Sequence, residues 1–278
     1  GIDLPVIIGH EAAGQVAAVG AAVRGFQPGD RVAAHPVHPC FTCAACRRGL
    51  RHLCENMGHF GINRPGAFAD YFTVRQDRAR RIPADLDYAV AALAEPVAVC
   101  IEALEQARLA PGDRLLVLGD GPFGILTARL AARRSLDRVA LAGHHPFRLN
   151  FAPEAVRIDT HLAADPVAAL LEPTGGAGYD AVILATGSAR AAADALRLLR
   201  AKGRLVVFSA IPGATPLDLF SVHVKELEIV GACNDQDRFD DAVVALNNPA
   251  LRLGELITHR FPLAEAECAL EQARSGRE

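Results

Sequence analysis

The sequence lacks the features that would take it to a membrane or to nucleic acid. No run reaches the roughly 20 uninterrupted apolar residues that a bilayer span requires. The opening GIDLPVIIGHE has neither the basic start nor the small-residue cleavage site of a secretory signal. Charge of one sign is not in excess, because 29 Lys and Arg face 32 Asp and Glu for a formal net charge of −3. No broad field therefore draws nucleic acid or an anionic surface. Internal repeats and low-complexity linkers are missing too. These absences leave the expectation of a cytoplasmic chain whose partner is a small molecule. An apolar fraction of 51% over 278 residues gives it enough to bury in one large domain or two smaller ones.

Cysteine is present and concentrated. Four of the seven cysteines fall in CFTCAACRRGLRHLC, at Cys40, Cys43, Cys46 and Cys54. The spacing lets four thiolates converge on one tetrahedral zinc about 2.3 Å from each sulfur. A disulfide framework belongs to small secreted chains, and an iron-sulfur cluster also accepts four cysteines; both stay open as alternatives. Four sulfurs close the shell of a zinc ion, so the expected role is structural, pinning a loop that has little core of its own.

Before the cluster, short apolar runs alternate with Gly and Pro-Gly-Asp punctuation, and GAFADYFTV after it is another strand-like run, so the first ~95 residues read as β-rich. From Leu93 the texture changes. The alanine-rich helical stretch EPVAVCIEALEQARLAPGD leads into RLLVLG, RVALAG, DAVILATG, GRLVVFSA and LEIVGA, apolar runs spaced by helical segments. That pattern predicts an α/β fold with a parallel sheet and crossover helices. Towards the end, DRFDDAVVALNN reads as helix, LITHRF as strand and PLAEAECALEQARSG as helix.

RLLVLGDGPFGILTARLAARR places a GxGxxG turn between a strand and a helix, at Gly119, Gly121 and Gly124, with Pro122 and Phe123 between the last two. Gly119 permits the tight turn, Gly121 lets peptide N–H groups approach a pyrophosphate, and Gly124 allows the helix to pack close on the strand. Dinucleotide binding follows from motif and context together. For NAD, the second strand should end in an acidic residue about 20 positions after the glycines. Here it ends in Gly143, His144 and His145, with Arg148 beyond. Lacking a carboxylate and having room at Gly143, this end favours NADP, with His144 and Arg148 meeting the 2′-phosphate. Solvated loop residues with no role in the choice are the alternative. Thr186, Gly187 and Ile211, at the ends of later strands, are secondary cofactor contacts.

His10 and Glu11 stand in GHEAAG, where a lone histidine among apolar residues is most often a satisfied structural group. The order of motifs changes its weight. GHE with a glycine three positions on, then Pro-Gly-Asp-Arg-Val, then the four-cysteine lobe, then GxGxxG, resembles the zinc-dependent medium-chain alcohol dehydrogenases over essentially the whole chain. GINRPGAFADYF, EPVAVCIEAL and LITHRFPLAEAECALEQARSG look more like the threonine and polyol (sorbitol-type) branch than the ethanol branch.

The resemblance implies a GroES-like β-rich catalytic domain over residues 1–95 and 233–278, and a doubly wound Rossmann domain over 96–232. It implies a catalytic zinc, with His10 as ligand, Glu11 as the carboxylate beside it and Glu95 in the place of a zinc-binding glutamate. It also implies hydride transfer between NAD(P) and a secondary alcohol (a polyol, sugar derivative or 3-hydroxy amino acid) by a dimer or tetramer. A non-catalytic nucleotide- and zinc-binding protein is the alternative. Relatives supply a further cysteine ligand and a proton-relaying Ser or Thr upstream of GHE. Only eight residues precede Gly9 here and none is Cys, Ser or Thr; the family's closing strand is absent as well, so a fragment truncated at both ends is expected. Cys100, Cys233 and Cys268 are expected to be small buried hydrophobes. His35, His38 and His59 are expected in structural or surface roles, with substrate contact as the alternative.

Overall fold

Short apolar runs cut by Gly and Pro can build only short strands, and the first part of the chain does so. The computed structural model describes residues 4–276. Strand β1 (Ala12–Gln15) pairs antiparallel with β2 (Arg31–Ala34). A two-residue ribbon of β3 (Val37–His38) and β4 (Gly58–His59) brackets the cysteine lobe and its single turn of helix α1 (Ala44–Arg47). Strand β5 (Ala79–Arg81) completes a three-stranded sheet of order β1-β2-β5. Helix α2 (Tyr88–Ala91) is capped by the Asp87 carboxylate, which accepts from the Ala89 N–H, and α3 (Ala94–Ala107) follows.

Next come β6 (Arg114–Leu118), α4 (Pro122–Ala131), β7 (Arg138–Gly143), α5 (Pro146–Leu149), β8 (Val156–Asp159) and α6 (Pro166–Leu171). They are followed by β9 (Tyr179–Leu184), α7 (Ala189–Ala195), β10 (Leu199–Val207), α8 (Leu219–Lys225) and β11 (Glu228–Gly231). The six strands form one parallel sheet of order β11-β10-β9-β6-β7-β8. The first of them, β6, lies inside the sheet and the chain winds outward from it in both directions. This is the doubly wound Rossmann arrangement, whose ligand crevice opens at the carboxyl ends where the order reverses. Strands covered on both faces read as continuous apolar runs. Leu116, Val182, Leu184 and Leu205 accordingly lie in one core with Leu198, and the buried Tyr179 hydroxyl donates to the Leu170 carbonyl at 2.8 Å.

The chain then closes with α9 (Phe239–Leu246) and α10 (Ala266–Ser275). By internal contacts it divides into two units, Gly1–Ala98 with Asn234–Glu278, and Val99–Cys233. Three sequence expectations change. β8 was missed because it is an edge strand with Val156 and Arg157 exposed, so it carries no continuous apolar run. In GAFADYFTV the Gly66, Ala67 and Phe68 N–H groups bond to the carbonyls of Ile7, Gly9 and Ile8, but the run forms no regular strand. LITHRF, mostly exposed, forms none either.

The two stretches of the first unit are joined by a buried pair. His35 Nδ1 accepts from the Val37 N–H at 3.1 Å, so Nε2 carries the proton and donates to Asp235 at 3.0 Å. The Phe239 ring packs 4.8 Å from His35, and the Arg238 N–H also donates to Asp235. Burial alone would raise the Asp235 carboxyl, but the His35 hydrogen bond and the Arg238 N–H outweigh it and hold it below the usual carboxylate range. Such a group stabilises the fold above its unfolded pKa and loses that contribution as pH falls through the depressed folded value. Asp235→Ala, which strands a buried imidazole N–H, is expected to cost about 2 kcal/mol at neutral pH. In chemical denaturation the gap from wild type should close in acid; a gap independent of pH would show that the pair contributes no ionic stabilisation.

Candidate active site and cofactor cleft

In the cysteine lobe the sulfurs of Cys40, Cys43, Cys46 and Cys54 all lie within 4.8 Å of one another. None is in a disulfide: Cys43 and Cys54 Sγ are 3.9 Å apart, against about 2.05 Å for a bond. Peptide N–H groups point at sulfur from Thr42 and Cys43 onto Cys40, from Cys46 onto Cys43 and from Cys40 onto Cys54. The Thr42 hydroxyl and peptide donors hold the Cys40 thiol down at about 5, while burial pushes Cys46 up to about 12. Cys40 thus meets a cation already as a thiolate, whereas Cys46 does so only if its proton is displaced, which is how zinc binds such a set. The lobe's own core is little more than these sulfurs, with Ala45 and Met57 packed against them.

The second donor group joins residues distant in sequence. Hydrogen bonds donated by the Gly66, Ala67 and Phe68 N–H groups hold the Ile7–Gly9 segment and so set His10 and Glu11. Glu95 projects from the first turn of α3 and is buried. One donor atom from each of His10, Glu11 and Glu95 lies within 4.8 Å of the others. Burial lowers the His10 pKa and so favours the neutral imidazole, whose lone pair binds metals. Burial, then the nearby carboxylates of Glu11 and Asp235, pushes Glu95 up to about 8. Two carboxylates and an imidazole forced together in this way are a nitrogen and oxygen set suited to zinc, and a cation would relieve their repulsion.

Of the other histidines, His59 donates from Nδ1 to the Phe60 carbonyl at 2.8 Å and sets its ring edge-on to His10, with centroids 5.1 Å apart. His38 bonds the Pro36 carbonyl at 3.0 Å. Both are buried, as is His35, and each has a structural partner. Cys100 is fully buried as expected, whereas Cys233 and Cys268 are exposed. Cys268 sits on α10, which buries none of its residues, and Cys233 follows the end of the edge strand β11, so neither has a core to enter.

In the second unit the glycine turn carries three different constraints. A Cβ on Gly119, whose φ is +121°, would meet the Ala185 carbonyl at 2.5 Å, and one on Gly124 would meet the Gly119 carbonyl at 1.8 Å. A Cβ on Gly121 would meet nothing within 4 Å. Protein packing therefore demands the outer two glycines, while the space beside Gly121, at the N-cap of α4, is left for a ligand. Beside the turn is a cleft of about 330 Å³ lined by Gly119, Asp120, Gly143, His144, His161 and Thr186 among others. Four of the expected cofactor residues, Gly119, Gly143, His144 and Thr186, share it. Phe123 packs edge-on against Phe208, Ile211 against the core, and Arg148 lies in the last turn of α5, outside that lining.

Sequence reasoning missed Asp120. The end of β7 was read as offering no carboxylate, yet Asp120 brings one there from the glycine turn, accepting from the His144 and His145 N–H groups at 2.9 and 2.7 Å. The signal was available in the pairing of an acidic residue inside the motif with a glycine at 143.

Residues 1–84 match the family described as alcohol dehydrogenase GroES-like domain, and residues 122–248 match zinc-binding dehydrogenase. A 2-dehydro-3-deoxy-L-galactonate 5-dehydrogenase of Pseudoalteromonas atlantica is 33% identical over 95% of this chain and 78% of its own length. An L-threonine 3-dehydrogenase of Anaeromyxobacter dehalogenans is 30% identical over 99% of this chain and 81% of its own. Among solved structures, a zinc-binding dehydrogenase of Sinorhizobium meliloti 1021 bound to NADP superposes with a TM-score of 0.91. It is 30% identical, with 95% of this chain and 79% of that one covered.

Cys43→Ser removes one of four sulfurs from a lobe with almost no other core. It is expected to release one zinc per chain and to lower the thermal midpoint by several degrees, at roughly 2–4 °C per kcal/mol for a chain of this size. Nicotinamide cofactor affinity should stay within about twofold, because the cofactor cleft is built from other residues. Metal analysis, calorimetry and fluorescence titration check these three outcomes. Loss of cofactor affinity at full stability would show that the lobe is more than a structural staple.

Proposed function

Because the chain belongs to the zinc-dependent medium-chain alcohol dehydrogenases, in the threonine and polyol branch, we propose that His10, Glu11 and Glu95 hold the zinc at which this oxidoreductase works. The carrying observation is the meeting of one imidazole and two carboxylates within 4.8 Å, built by residues 85 positions apart, 10 and 95. Zinc bound there supplies Lewis acidity, which lowers the pKa of a bound hydroxyl so that hydride can leave the carbinol carbon. His10 contributes a neutral nitrogen, Glu95 a buried carboxylate, and Glu11 a carboxylate on an exposed residue. Cys40, Cys43, Cys46 and Cys54 would hold a second, structural zinc, since four sulfurs complete the ligand set such a site needs.

The glycine turn and the start of α4 hold the pyrophosphate of a nicotinamide dinucleotide through Gly119, Gly121, Pro122, Phe123 and Gly124, with Thr186, Gly187 and Ile211 contacting the rest. On the form of that cofactor, His144 and Arg148 speak for the 2′-phosphate and Asp120 speaks against it. The substrate is a small secondary alcohol of the polyol, sugar-acid or 3-hydroxy-amino-acid kind. The names of two relatives, one for a deoxy sugar acid and one for threonine, support that range. Assembly as a dimer or tetramer and a cytoplasmic location belong to the same reading; among the described residues no helix is long and apolar enough to cross a membrane.

Metal analysis of the purified protein is expected to give two zinc ions per chain. His10→Ala should retain one of them and lose NAD(P)-linked oxidation of polyols and threonine by at least 100-fold. A single zinc in the wild type, untouched by His10→Ala, would replace this reading with a non-catalytic nucleotide- and zinc-binding protein.

A further inference from the structure

Gly143 ends β7 at the place where an acidic side chain would read the adenosine ribose of a dinucleotide. A Cβ there would lie 2.3 Å from both Cβ and Cγ of Asp120 and 2.4 Å from its Oδ2. Asp120 therefore already fills the space that a side chain at 143 would need, and the glycine is required by the carboxylate beneath it. Oδ2 is held by three donors: the peptide N–H of His144 at 2.9 Å, that of His145 at 2.7 Å, and His145 Nδ1 at 3.0 Å. Oδ1 makes no hydrogen bond among the described residues, yet it is not among the buried unpartnered atoms, and the residue lines the cleft.

We propose that Asp120, supplied by the glycine turn, is the carboxylate that reads the adenosine ribose, and that it selects the 2′-hydroxyl of NAD over the 2′-phosphate of NADP. The inference rests on the dehydrogenase reading only in that the cleft takes a nicotinamide dinucleotide. Oδ1 is an acceptor suited to a ribose hydroxyl and repels a phosphate dianion. The two peptide N–H groups at the end of β7, which would otherwise be free to donate to a 2′-phosphate, are already spent on Oδ2. The two imidazoles nearby are hydrogen-bonded as well. His145 donates from Nδ1 to Asp120 and His144 Nδ1 meets the Thr160 hydroxyl at 3.2 Å, while Arg190, also in the cleft lining, is largely exposed and lies 3.9 Å from Asp194. His161 lines the cleft with its ring 6.3 Å from that of His144.

The test is a pair of fluorescence titrations, NADH and NADPH, on the intact protein with the thermal midpoint of each variant recorded. Wild type is expected to bind NADH at least tenfold more tightly than NADPH. Asp120→Asn keeps an oxygen to accept the His144 and His145 N–H groups but removes the charge, and should narrow that ratio at least tenfold, mainly by tighter NADPH binding. Asp120→Ala should shift the ratio in the same direction even if both affinities fall. Tighter NADPH binding by wild type would overturn the assignment and leave the dehydrogenase reading intact. So would affinities that fall in equal proportion in both variants, since Asp120 would then be only a loop cap. Binding of neither cofactor to wild type would sink both.

Discussion

Gathering metal-ligand-type donors within 4.8 Å of one another is the constraint around which the first unit is organised. Four sulfurs converge in the lobe, and two carboxylates with an imidazole converge at His10, Glu11 and Glu95. Burial first, and at Glu95 the charges of Glu11 and Asp235 after it, holds the Cys46 thiol and the Glu95 carboxyl above their ordinary values. The protein meets the constraint differently in the two places. In the lobe it aims peptide N–H groups at sulfur within a fifteen-residue loop. At the other set it draws on tertiary structure, fixing the His10 segment through the 66–68 backbone and Glu95 through the buried first turn of α3. Local and distant solutions to the same electrostatic problem thus stand side by side in one unit.

How much of this was legible in the sequence follows from the range of the interactions involved. The cysteine spacing is local, and so are the glycine turn and the apolar runs of the central strands; each was readable because a fixed spacing or period carries it. The edge strand β8 was not, because two of its four residues are exposed. Nor was the His35–Asp235 pair, whose partners are 200 positions apart with no shared motif. The convergence of Glu95 on His10 came through likeness to a family, since no spacing rule relates a glutamate in a helix to a histidine 85 positions earlier.

Asp120 is a different kind of omission. The glycine motif gives Gly119 and Gly121 their roles toward a dinucleotide and assigns none to the residue between them. The end of β7 was judged separately, from its own four residues. Only packing links the two, because the absence of a side chain at 143 and the presence of one at 120 are one steric fact. A motif with both a required glycine and an optional acid therefore has to be read with its neighbouring strand.

The division of the chain also bears on how the protein is made. Val99–Cys233 is continuous in sequence, so everything its parallel sheet needs is present once that stretch has been synthesised. The first unit is not continuous. His35, made early, waits two hundred residues for Asp235, and until then its buried position has no anion to meet. A nascent chain halted just before Asp235 would hold every strand of the parallel sheet and a first unit still lacking its second stretch, so the order of synthesis lets the continuous unit form before the divided one.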